Sequence, residues 1–194
     1  IPCPVDELRA DVVISGSQKG WMVPPGLAMV AMSGKAWEAY ERSNLPKFYL
    51  DLGKAKDYLA RGQTPWTPAV SVFYALEASL KKILDEGVEN VYARHKSLAE
   101  KTRAQVKQLG LELLADERVA SNTVTAIKVP DGIDGRQLTK HIRENYKVVL
   151  GGGQQSLAGK IVRVAHLGYV ESTEIDDALN ALDRGLNDLK SATS

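Results

Sequence analysis

Two periods of apolar residues run along this chain, and the places where one gives way to the other mark its elements. Asp11-Val12-Val13-Ile14 is a β-branched run that predicts a buried strand, closed by the small residues Ser15-Gly16-Ser17. Leu27 to Met32 is a second apolar run, suited to another central strand. Ser33 then stands as a cap before a helix over 35–42. From Asn44 to Thr67, aromatics and lysines mixed with Gly53, Gly62 and prolines predict loops, with one short helix around 54–60. Thr67-Pro68 reads as an N-cap followed by proline at the first helical position. The helix it opens runs through Leu84, with Val72, Leu76, Leu80 and Ile83 at core-facing spacing and Gly87 as the stop. A further helix spans 88–109 and ends at Gly110. Beyond it the pattern predicts a strand over 122–129, a helix over 134–146, short strands at 148–150 and 161–165, and an amphipathic helix over 172–189 with a Ser-Thr-Glu start. The elements therefore fall into a first portion, residues 1–85, and an α+β portion, residues 86–194.

Composition adds mainly exclusions. A chain of 194 residues that is 44% hydrophobic and 25% charged can bury a core, as one large domain or two small ones. Lys plus Arg number 25 against 24 for Asp plus Glu, so no dominant basic face argues for nucleic acid or an anionic membrane as partner. No apolar run has the length of a bilayer span, and no signal-peptide pattern is present. Cys3 is the only cysteine, which excludes a disulfide framework, a zinc site or an iron–sulfur cluster built from this chain and fits a reducing cytoplasm. His95, His141 and His166 have no metal-ligand spacing with one another and read as structural, so no metal site is expected. Trp21, Trp37 and Trp66 read as core or interface packing.

Chemistry concentrates at three places. Lys19 ends the first strand, and Val23-Pro24-Pro25-Gly26 on its far side cannot be helix, because proline removes donors and restricts the residue before it. A lysine in such a setting suits covalent amine chemistry, which needs a fixed position and a partly desolvated site that favours the neutral amine. A solvated lysine is the plainer reading. Thr67 is explained by capping alone, yet a helix N-terminus also collects phosphate. Arg163 sits between branched apolar residues on a predicted strand, where an unpaired buried guanidinium is costly. It therefore has a ligand or an ion-pair partner, or else faces water from an edge strand. The glycine run 151–153 before it lacks the spacing of a Walker loop.

Whole strings narrow these choices. Ser15-Gly16-Ser17-Gln18-Lys19 followed by Pro24-Pro25-Gly26-Leu27 resembles the cofactor-lysine motif of the class V pyridoxal-phosphate aminotransferases, in particular the alanine–glyoxylate and serine–pyruvate branch. The glycine loop, Gly159-Lys160, Ile161-Val162-Arg163 and His166-Leu167-Gly168 resemble that family's C-terminal signature. The resemblance covers essentially the whole chain but only the second half of a family member, so the sequence is expected to be a fragment, a processed product or one piece of a split protein.

The resemblance implies an α/β protein of fold-type I, a PLP-dependent transferase. Residues 1–85 would be the C-terminal part of the large PLP-binding domain, and 86–194 the small C-terminal α+β domain. It implies transamination from a small amino acid, alanine or serine, to a 2-oxo acid such as glyoxylate or pyruvate. Lys19 would be the attachment point of pyridoxal 5'-phosphate and the catalytic base and acid, with Gln18 donating to the cofactor phosphate. Thr67 would reach the phosphate of a neighbouring subunit in a homodimer with composite active sites, while Thr64 stands where some relatives carry a tyrosine. Arg163 would hold the substrate α-carboxylate with its guanidinium fork. Two other readings stay open on the same fold. A desulfurase or related lyase would carry histidine where Gln18 stands and a cysteine in a later loop, whereas Cys3 precedes the lysine. A non-catalytic subunit of a larger complex is the other.

Overall fold

The computed structural model describes residues 1–191, which divide into two units, one of Pro2–Asp85 and one beginning at Glu86. In the first unit, β1 (Val12–Gly16) and β2 (Ala28–Met32) pair antiparallel, with Val12 opposite Met32 and Gly16 opposite Ala28. Helix α1 (Gly34–Arg42) starts where expected, because Ser33 Oγ accepts the Ala36 amide and donates to Asp11 at 2.7 Å. Helix α2 (Leu52–Leu59) begins two residues earlier than its sequence pattern, where Asp51 accepts the Gly53 amide. The long α3 spans Val70–Glu86.

Two expectations need correction here. The apolar runs do form strands, but they are not buried: Ile14 is 70% exposed, and Val12 and Val30 are exposed beside it. A β-branched run reports that a face must be covered; here Trp37 of α1 and Leu52, Ala55 and Leu59 of α2 line a cavity with Ala28, Val30 and Met32 and cover that face only in part, so Ile14 stays in water. Thr67 is not the cap of α3. The Pro68 carbonyl is turned back onto the Val70 amide at 2.9 Å, and Ala69 accepts the Phe73 amide, so the helix opens after Ala69 and Thr67 lies outside it.

The second unit is built of α4 (Val88–Gln108), β3 (Val124–Lys128), α5 (Gly135–Tyr146), β4 (Gly151–Gly152), β5 (Ile161–Ala165) and α6 (Ser172–Ser191). The sheet order is β3-β5-β4, every pair antiparallel. One sheet face and three helices enclose a core of Ile127, Val162, Leu98, Leu138, Ile142, Ile175 and Leu182. Each of these side chains, once out of water, contributes about 1.5–3 kcal/mol. Close approach of α5 and α6 depends on Gly185, where an added Cβ would lie 2.6 Å from Ile142 Cγ1. At the start of α6, Glu174 reaches back to the Glu171 amide at 2.8 Å, the reciprocal half of a capping box. The short strand expected at 148–150 is displaced: the ladder forms instead at Gly151–Gly152, with Gly151 opposite Arg163. No helix of the described residues is long and apolar enough to cross a membrane.

Two buried histidines couple this unit to pH. His166 Nδ1 bonds the Asn122 carbonyl at 3.0 Å and its Nε2 the Thr125 hydroxyl at 2.9 Å. His95 Nδ1 donates to the Val91 carbonyl, and its Nε2 accepts the Gly168 amide at 3.0 Å. Burial lowers both pKa values below the usual 6.5. The unfolded chain therefore binds more protons than the folded one between each depressed value and 6.5. The stability this gives is complete above that window and falls as pH drops through it. Urea unfolding followed by circular dichroism is expected to show a midpoint that declines as the pH falls below about 6.5. Losses from Glu86, whose carboxyl the Arg94 guanidinium holds below 4.5, follow only at lower pH. A midpoint flat across the upper window would show that neither imidazole is held neutral.

Candidate active site

Lys19 stands in the turn after β1, and its neighbours fix that turn from both sides. Ser17 is fully buried: its hydroxyl donates to the Pro24 carbonyl at 2.8 Å and accepts the Leu27 amide at 3.2 Å, while its own amide donates to the Leu27 carbonyl. One small side chain thus buttons the strand end to the Pro-Pro-Gly segment. Trp21 closes the other side, its indole N–H donating to Ser15 Oγ at 2.7 Å and its carbonyl accepting the Ser79 hydroxyl of α3 at 2.6 Å. Between these anchors the Met22 amide donates to the Lys19 carbonyl at 2.9 Å, and Met22 itself is left-handed (φ 59°). Such a conformation costs a non-glycine residue of order 1 kcal/mol and persists only where its surroundings over-determine it. Gly26 (φ 151°) lets this loop lie against α3, since a Cβ there would sit 3.2 Å from Val72 Cγ2.

The lysine itself is exposed at the tip of this fixed loop. The sequence pattern foresaw the fixed position; the partial desolvation is not supplied by the described residues. Gln18 is exposed beside it, with its amide oxygen lying over Gly16, where a Cβ would come within 2.7 Å. Thr67 is exposed in the segment before α3, directly after Trp66, whose ring packs with Phe48 and Tyr49 at centroid distances of 5.2 and 5.4 Å. Thr64 bonds the Trp66 carbonyl at 2.8 Å and serves the loop.

In the second unit, Arg163 lies on β5, the central strand, paired with Ala126 on one side and Gly151 on the other. The edge-strand alternative is therefore wrong. The side chain is half-buried and runs along the glycine strand, with Nε donating to the Gly152 carbonyl at 2.9 Å. A Cβ at position 151 would lie 3.4 Å from Nε, so the arginine runs in contact with the Gly151 backbone. Among the described residues no carboxylate forms an ion pair with this guanidinium. A tethered Nε with terminal nitrogens left over is suited to a carboxylate brought by a ligand.

Donors dominate all four positions: an amine, an amide, a hydroxyl and a guanidinium. Among the described residues no cluster of His, Cys, Asp and Glu could hold a metal ion. Ser17, Ser79 and the Glu86-Arg94-His95 group were not foreseen. Ser79 did carry a signal, being a polar residue seven positions after Val72 on the apolar stripe of α3. His95 likewise interrupts the buried stripe of α4 formed with Leu98, Thr102 and Val106.

The Aminotransferase class-V family model matches residues 1–177. The small subunit of a soluble hydrogenase from Synechococcus sp. is 44% identical over 189 residues, covering 97% of this chain and 49% of that protein. A serine–glyoxylate aminotransferase from Methylorubrum extorquens is 36% identical, covering 97% of this chain and 48% of that one. Among solved structures, alanine–glyoxylate aminotransferase from Nostoc sp. superposes with a TM-score of 0.91 at 29% identity, covering 96% of this chain and 50% of that chain. The chain thus spans about half the length of the curated relatives it matches.

Proposed function

Because the chain belongs to the class V aminotransferase family, with its fold-type I architecture, we propose that it carries the lysine and the carboxylate-binding arginine of a pyridoxal-phosphate-dependent aminotransferase. The observation that carries this reading is the clasped loop. It presents one amine at a fixed point next to an amide donor, which is what a cofactor aldehyde with a phosphate requires. When bound, the cofactor supplies the electron sink for the amino-group transfer. Lys19 Nζ is then the group placed to take the proton from the substrate α-carbon and to return one, a role that needs its neutral form. Gln18 donates its amide N–H to the phosphate. Arg163, tethered at Nε, holds the α-carboxylate and so orients the α-carbon.

The substrates proposed are a small amino donor, alanine or serine, and glyoxylate or pyruvate as acceptor, in line with the names of the serine–glyoxylate and alanine–glyoxylate relatives. The functional unit proposed is a homodimer with composite sites, Thr67 of one subunit donating to the phosphate in the other. Its support is the exposed apolar segment of the first unit, where Leu45, Phe48, Tyr49 and Leu50 are all exposed, with Leu50 at 84%, as residues of an obligate interface are in a separated chain.

Sedimentation and visible absorption of the complete protein test the two parts separately. A dimer whose cofactor band changes on adding alanine or serine is expected, with Thr67→Val loosening the cofactor about tenfold, the scale of one lost phosphate hydrogen bond. A monomer with full activity would overturn the composite site. A cofactor band insensitive to amino acids would favour a non-catalytic subunit.

A further inference from the structure

We infer that Arg94 and His95, adjacent on α4, are positioning residues for Arg163: they grip the Gly168 peptide just beyond β5 and so hold the strand that carries the guanidinium. The inference deepens the reading above and rests on Arg163 receiving the substrate carboxylate.

The grip is complete at one residue. The Gly168 amide donates to His95 Nε2 at 3.0 Å, and the Gly168 carbonyl accepts from Arg94 Nη1 at 2.8 Å. Neither side chain is free to drift. His95 Nδ1 is engaged by the Val91 carbonyl at 2.7 Å, which sets the tautomer that leaves Nε2 as acceptor. Arg94 is held by a two-pronged pair with Glu86, at 2.6 and 2.9 Å, and Nη1 lies 3.5 Å from the Val170 carbonyl as well. Gly168 is buried and has φ 90°, a conformation in which its N–H and its C=O can both be presented to one helix, and which a residue with a side chain rarely adopts.

Strand β5 transmits the grip. From Gly168 back to Arg163 the chain is pinned at His166, whose amide extends the ladder to the Thr123 carbonyl and whose ring joins Thr125 and Asn122. On its other flank β5 has only the two-residue β4, and the Arg163 tether runs to that same short strand, at the Gly152 carbonyl. The clamp from α4 thus adds a second anchor beyond His166, joining the exit of β5 to α4 as well as to β3. A forked contact to a carboxylate tolerates misplacement of only about 0.5 Å, so a loosened exit would be felt first at the guanidinium. A merely structural bond would instead lower stability and leave substrate affinity alone.

The test is a set of variants in the complete, cofactor-loaded protein. His95→Asn keeps a partner for Val91 but cannot reach Gly168, whereas His95→Gln places an amide oxygen near the lost Nε2. His95→Asn is expected to raise the amino-acid KM about tenfold, the scale of one lost buried hydrogen bond, with kcat and cofactor affinity within about twofold. His95→Gln should return KM to near the parent value. In an Arg163→Lys background, His95→Asn should add almost nothing, because the residue it acts through is gone. Should His95→Asn fail to fold, Arg94→Lys, which cannot hold Glu86 and Gly168 together, is expected to show the same coupling at about threefold. An equal KM effect in both backgrounds, or an unchanged KM with lowered stability, would overturn the positioning role. An Arg163→Lys variant that binds substrate like the parent would instead overturn the carboxylate reading beneath it.

Discussion

Lys19→Arg is expected to lower transamination by about three orders of magnitude or more while leaving the protein folded. The fold should tolerate it because the loop is held by Ser17, Trp21 and Ser79, none of which touches the lysine side chain, and because position 19 is exposed. Activity should not, since a guanidinium stays protonated and can neither join a carbonyl carbon nor take a proton. Borohydride reduction of the cofactor-loaded parent, followed by peptide mapping, checks the same assignment without a mutation. The cofactor should be fixed to the peptide containing Lys19, and a label on another lysine would move the active site elsewhere.

Arg163→Lys is expected to weaken amino-acid binding by about 2 kcal/mol, roughly thirtyfold in KM, with cofactor retention little changed. Two losses combine. The shorter ammonium cannot make the forked contact with a carboxylate, and it gives up the Nε tether to Gly152 that aims the side chain. Substrate titrations of parent and variant measure the first loss.

What the sequence made legible follows the locality of each cause. β5 and α4 stand where their periods put them because their apolar faces repeat along the chain itself. Arg163 was visible as an anomaly in an apolar run, but its place on the central strand was not, since strand order is decided by partners distant in sequence. β4 was misplaced onto Val148-Val149-Leu150 because glycine has low strand propensity, while Gly151–Gly152 pair through backbone bonds to β5, which propensity does not report. Thr67-Pro68 carried a familiar helix-start signal, which a turn between Pro68 and Val70 overrode. The burial foreseen for β1 fails for a different reason: its composition reports a need for cover, not what covers it. Lys19 and Gln18 were legible as strings, whereas Ser17, the residue that holds them, gave no sign that its hydroxyl bonds twice.

That double bond at Ser17 bears on the thermodynamics of ligand capture. A loop that closes only when its ligand arrives gives up about 1–2 kcal/mol of backbone freedom per residue at that moment, and its binding shows a large unfavourable entropy. The segment from Ser17 to Leu27 has given up much of that freedom during folding, through contacts made with its own carbonyls and amides. Capture at Lys19 is then close to a rigid-receptor event. Its heat-capacity change tracks the apolar area the ligand covers, with no contribution from ordering this loop.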